Sequence, residues 1–181
     1  EGDSQDAEQS FLKALDIDAY YTRGRTYFGA FLFSEKRYQE ALEQFEIASK
    51  DAGYVGRSQV YTNIALCNLE LNRLDNALKA YKKTLRLDSA NGRALSGVTE
   101  LLIKLKDFKG AQHYYNRLVG LIRQQGLKHS AQSLWLGIRI ANHFESVSQV
   151  AGLVMLLKKL YPDSNEYSQY LKQEQARNND V

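Results

Sequence analysis

A chain of 181 residues with 44% apolar and 25% charged side chains has a globular composition, which excludes a disordered protein. One cysteine excludes an internal disulfide or a cysteine-rich zinc site, and no apolar run is long enough for a membrane-spanning helix. The net charge of +3 is too mild to imply nucleic acid, and the single proline points to helices, whose interiors exclude it.

The chain opens on polar, acidic residues 1–6, which lack the basic, apolar and small-residue pattern of a secretory signal. A first helix is expected over about 4–17. From there the sequence repeats itself. Ala7, Ala41, Ala77 and Ala111 recur at spacings of 34, 36 and 34. Four residues after each alanine stands an aromatic: Phe11, Phe45, Tyr81 and Tyr115. Residues four apart share one helix face, so each alanine lets a partner helix approach while the aromatic fills the space beside it. Tyr38, Leu74 and Phe108 stand three residues before the last three alanines; Gly29, Ala65 and Thr99 stand twelve before, the threonine fitting least well. This is the tetratricopeptide repeat (TPR) pattern, a helix–turn–helix unit of 34 residues.

The repeat predicts an all-α fold, a right-handed superhelix of stacked antiparallel helix pairs. Residues 1–181 are expected to form a single array. Its parts are the second helix of a truncated repeat (1–19), repeats at 20–56, 57–90 and 91–125, a divergent repeat at 128–162 and a capping helix at 163–177. The two extra residues of the 36-residue step fall in the glycine-containing turn 51–57. Gly120 and Gly126 mark a loosened junction. Pro162 ends the divergent pair, Asp163 or Ser164 caps the last helix near 164–176, and the tail 177–181 should fray.

Candidate chemistry is sparse. Cys67 lies in an apolar helix and reads as a small buried hydrophobe. His113, His129 and His143 lack metal-ligand spacing. The basic clusters Lys82-Lys83-Arg86, Lys104-Lys106-Lys109 and Lys158-Lys159 read as solvated faces. No phosphate loop, nucleophile elbow or carboxylate dyad occurs, so no catalytic residue, metal, cofactor, small-molecule substrate or nucleic acid is expected. Tyr27, Tyr54 and Tyr61 are candidates for exposed tyrosines, common anchors at interfaces.

The first helix of each TPR unit lines the groove. The register puts Arg23, Thr26, Tyr27, Ala30 and Phe33 there, then Gln59, Thr62, Asn63, Leu66 and Glu70, then Arg93, Ser96, Gly97, Glu100 and Lys104. Arg23, Tyr27, Phe33, Asn63 and Arg93 are the candidate partner-binding residues. A mixed polar and aromatic surface suits a peptide or extended segment. The five-residue clamp with which TPR co-chaperones hold acidic C-terminal tails would fall on Thr26, Ala30, Asn63, Arg93 and Gly97. Only Asn63 and Arg93 could serve, so that clamp is not expected.

Several stretches go beyond the repeat consensus: Phe31-Leu-Phe-Ser-Glu-Lys-Arg-Tyr-Gln-Glu-Ala41, Gly56-Arg-Ser-Gln-Val-Tyr-Thr-Asn-Ile-Ala-Leu66, Ser133-Leu-Trp-Leu-Gly-Ile-Arg-Ile-Ala141 and Leu160-Tyr-Pro-Asp-Ser-Asn-Glu-Tyr167. In these the chain resembles the type IV pilus biogenesis/stability protein family, TPR pilotin lipoproteins of Gram-negative bacteria. The resemblance implies a non-enzymatic periplasmic lipoprotein anchored to the outer membrane. It would bind the outer-membrane secretin subunit and promote its localisation and assembly. Family members carry a signal peptide, a lipidated cysteine and further repeats upstream, so this chain is expected to be the C-terminal part of such a protein. Contact with the membrane would then be only through that anchor. Trp135 and Arg139 are expected to be structural. A generic TPR adaptor, binding another partner in the same groove, is the alternative.

Overall fold

In the computed structural model, residues 2–179 are described, and they form ten helices and no strand. Contacts divide the chain into two compact units, Glu1–Ala94 and Leu95–Val181. The first holds α1 (Gly2–Ile17), α2 (Thr22–Ser34), α3 (Tyr38–Ala48), α4 (Arg57–Glu70) and α5 (Leu74–Leu87). The helix α6 (Gly92–Lys104) starts at the division; α7 (Phe108–Gln124), α8 (Ala131–His143), α9 (Val147–Leu160) and α10 (Asn165–Asn179) follow. Helices α2 and α3 pair, as do α4 with α5 and α8 with α9. This is the TPR fold.

The repeat register becomes packing. Ala41 and Phe45 are buried on α3, and the Phe45 ring lies against the bare Cα of Gly29 on α2. Ala65, Ala77 and Tyr81 are buried in the next pair. Thr99, the poorest match to a small position, is also fully buried. Its hydroxyl donates to the Leu95 carbonyl at 2.8 Å, so the polar atom is satisfied within its own helix. In the divergent pair Gly137 takes the small position, and the Tyr115 hydroxyl occupies the space a Cβ would need.

Four turns within helix pairs close in one way. Lys36, Asn72, Lys106 and Glu145 have φ of 54–61°, in the left-handed region. The N–H of the next residue reaches back five positions: Arg37 to Leu32, Arg73 to Asn68, Asp107 to Leu102 and Ser146 to Ala141, at 2.7–2.9 Å. These are Schellman caps, in which glycine is the preferred left-handed residue. An L side chain there costs about 1–2 kcal/mol, against about 0.5–1 kcal/mol of extra chain entropy for glycine. Glycine at Lys36, Lys106 or Glu145 is therefore expected to stabilise the protein by about 0.5–1 kcal/mol each, measured by urea denaturation.

The inserted turn is held by its own polar groups. Asp51 accepts from the Gly53 N–H at 3.0 Å and from the Thr22 hydroxyl at 2.7 Å. Arg57 donates from Nε to the Ser49 carbonyl at 3.0 Å. The first helix α1 docks on α2 through Phe11, whose ring lies 5.4 Å from Phe28 and 5.6 Å from Phe31. Arg37 bridges Glu8 at 2.7 Å and Glu40 at 2.6 Å.

Three expectations change. Gly120 lies inside α7, whose last turn runs on to Gln124; only Gly126, at φ 62°, marks the break. Of the two candidate caps Ser164 does the work, its Oγ accepting from the Tyr167 N–H at 3.1 Å. The last helix continues past Ala176 to Asn179, with Arg177 paired to Glu174 at 3.0 Å; the rest of the tail lies outside the described residues.

Candidate partner-binding site

In α2 the residues Arg23, Tyr27, Ala30 and Ser34 are exposed, at spacings that align them on one helix face. In α4 the matching stripe is Gln59, Asn63, Leu66 and Glu70, exposed or half-buried. The two helices touch. Tyr27 is 58% exposed, unusual for a large aromatic in a helix of a packed unit. Arg23 is free of any ion pair among the described residues. Gln59 donates to the Asn63 Oδ1 at 2.9 Å, which leaves the Asn63 amide nitrogen to donate outward. Arg93 is exposed at the start of α6, at the edge of the first unit.

Not every candidate falls on this stripe. Thr26 is buried, its hydroxyl donating to the Thr22 carbonyl at 2.9 Å. Thr62 is buried against Thr84, the two hydroxyls 3.3 Å apart. Phe33 is half-buried, its ring packed edge-on to Tyr38 at 5.1 Å. It supports the turn between α2 and α3 as much as it presents a surface. Tyr54 and Tyr61 are also half-buried. Tyr61 lies on the other side of α4, between the Arg57 guanidinium at 5.7 Å and the Lys83 ammonium at 5.0 Å from its ring centre. Burial pushes its hydroxyl pKa up, but the hydrogen bonds from Arg57 and Ser49 and the Lys83 charge outweigh that and leave it lowered.

The reactive residue types are placed as structure. Cys67 is buried, which pushes its thiol up to about 12, so no thiolate forms at neutral pH. His143 stacks on Phe108 with ring centres 3.7 Å apart. His129 approaches the Ser133 hydroxyl at 3.1 Å, and burial lowers its pKa. Trp135 is buried with Leu134, Ile138 and Leu157, and Arg139 is half-buried beside Glu100, with burial lowering its pKa. Among the described residues, no helix is long and apolar enough to cross a membrane.

One residue of interest was missed. Asn68 is buried on α4, on the same side as Tyr61. The signal lay in the register, since the equivalent residue in the other first helices is aliphatic: Leu32, Leu102 and Ile140.

Paired helices with Gly29 against Phe45, repeated along the chain, define a TPR protein, and residues 58–91 match the tetratricopeptide repeat family. Over 164 residues the chain is 34% identical to the type IV pilus assembly protein PilF of Pseudomonas aeruginosa, spanning 91% of this chain and 63% of PilF. A solved structure of P. aeruginosa PilF superposes with a TM-score of 0.82, covering 92% of this chain and 73% of that one. The chain belongs to the family of type IV pilus biogenesis TPR proteins. It spans less than two thirds of the curated relative's length. PilW, a widely conserved type IV pilus biogenesis factor, superposes at a TM-score of 0.75 with 20% identity, covering 91% of this chain and 74% of PilW. At that identity it speaks for the fold alone.

Proposed function

We propose that the chain is a non-catalytic protein–protein interaction scaffold of type IV pilus biogenesis. It promotes outer-membrane localisation and multimerisation of the pilus secretin. The observation that carries this reading is the 34% identity to PilF along 91% of the chain. The uncovered stripe of α2 and α4 supports it, because a helix face left polar and aromatic in a stacked array is available to a partner. Within that stripe Tyr27 is the anchor, a rigid side chain that buries large area at low entropic cost. Arg23 and Asn63 add charge and hydrogen bonds on the same stripe, and Arg93 at the start of α6 and the half-buried Phe33 complete the candidate set. The protein would act at the periplasmic face of the outer membrane as a lipoprotein.

The test is a deletion strain complemented with the full-length gene carrying Arg23→Ala, Tyr27→Ala, Asn63→Ala and Arg93→Ala together. The expected result is monomeric secretin retained in the inner membrane fraction, with the variant protein at normal abundance. Tyr27→Ala alone should weaken secretin binding by about 30-fold, the effect of a ~2 kcal/mol hot spot. Normal secretin multimers in the strain that lacks the gene would contradict the reading.

A further inference from the structure

In stacked pairs, consecutive second helices leave a cleft between them, floored by the first helix they share. In the first unit this cleft is rimmed by α3 and α5, floored by α4, and measures about 430 Å³. In the second unit the equivalent cleft, rimmed by α7 and α9 over α8, measures about 540 Å³. One floor position, three residues after the small residue of the first helix, is polar in the first unit and aliphatic in the second. The second unit has Ile140 there, and the first has Asn68.

Asn68 is 3% exposed. Its amide nitrogen donates to the Ile64 carbonyl at 2.8 Å, and its Oδ1 has no partner. Among the described residues it is the one buried side-chain polar atom left so. A buried, unsatisfied carbonyl destabilises the fold, and a leucine at this position would not.

The rim is cationic. Lys50, Arg73, Lys79 and Lys83 line the cleft against one carboxylate, Glu46. Four cations less one anion leave an excess of three, equal to the net charge of the whole chain. None of the four makes an ion pair among the described residues. The lining residues Tyr61, Ile64 and Asn68 lie across α4 from the stripe of Gln59, Asn63, Leu66 and Glu70, so this surface is separate from the one proposed above.

We infer that the cleft binds an extended acidic segment of a protein partner. Its carboxylates meet the rim cations, and one of its backbone N–H groups donates to the Asn68 Oδ1. The orphan oxygen decides between ligand classes. A phosphomonoester dianion or a phosphodiester group offers acceptors only, and would leave Asn68 unsatisfied. A peptide offers carboxylates and N–H donors together.

The experiment uses a capped, fluorescent peptide of alternating glutamate and serine, titrated with the full chain at low and high salt. Binding should weaken with salt. Lys79→Glu with Lys83→Glu, both exposed, should weaken it by about tenfold or more. Asn68→Leu should raise the melting temperature yet weaken peptide binding by about tenfold. Methylation of the peptide backbone nitrogens should weaken binding to the natural protein and leave binding to Asn68→Leu unchanged. Undetectable binding at low salt would overturn the inference. So would equal affinity for the lysine variant, or competition by inorganic phosphate as effective as the unlabelled peptide. Tighter binding of a single-stranded oligonucleotide than of the peptide would also overturn it.

Discussion

Phe45→Ala is expected to cost about 3–5 kcal/mol and to reverse the sign of a second substitution, Gly29→Ala. Phe45 is 1% exposed and fills the space beside Ala41. Its Cε1, Cζ and Cδ1 lie 2.8, 2.9 and 3.0 Å from where a Cβ on residue 29 would stand. The ring is enclosed and cannot swing aside, so an added methyl must push α2 and α3 apart. Overpacking of this kind costs about 1–3 kcal/mol, more than the ~1 kcal/mol by which alanine improves on glycine as a helix former. Gly29→Ala alone should therefore destabilise. Once Phe45 is alanine the space is open, only the helix preference remains, and the same substitution should stabilise by up to ~1 kcal/mol. The four proteins of this cycle can be compared by urea denaturation. Additive effects would show that the small-residue-to-aromatic contact does not join these helices.

Leu157→Ala should produce the largest local effect in the second unit. Helix α9 has 14 residues, yet Leu157 is its one buried side chain. It packs with Leu134, Trp135 and Ile138 of α8, and Tyr167 and Tyr170 of α10 pack against that cluster. Truncating a buried leucine costs about 2–5 kcal/mol. Stacked repeats are held by nearest-neighbour contacts, so the loss should stay near its site. Amide exchange in α8, α9 and α10 is expected to quicken by about a hundredfold, while α2 to α5 keep their protection. Equal acceleration throughout the chain would contradict this.

The features most legible in the sequence were those set by volume. The spacing of Ala41, Phe45 and Gly29 could be read directly because a small residue facing a ring has few alternatives. The stretch Ser133–Ala141, one of those that carry the family resemblance, lies in α8 with every residue but Arg139 buried. Packing constrains such a segment at nearly every position. Exposure was less legible. Thr26 and Thr62 neighbour the exposed Tyr27 and the partly exposed Asn63, but one residue is a rotation of about 100°, enough to turn them inward. Their hydroxyls bond to their own helices, so polarity gave no warning. Asn68 was hidden by the same habit of reading polar as exposed.

The proposed function requires these repeats to present a secretin-binding surface. The direct measurement is calorimetric titration of the purified periplasmic domains of the secretin into this chain, beside the full-length mature protein. Comparable affinity for both, lost together on alanine substitution at Arg23, Tyr27, Asn63 and Arg93, is the predicted result. Binding by the full-length protein that survives those substitutions, with none by this chain, would contradict it and make the chain a support for a site elsewhere.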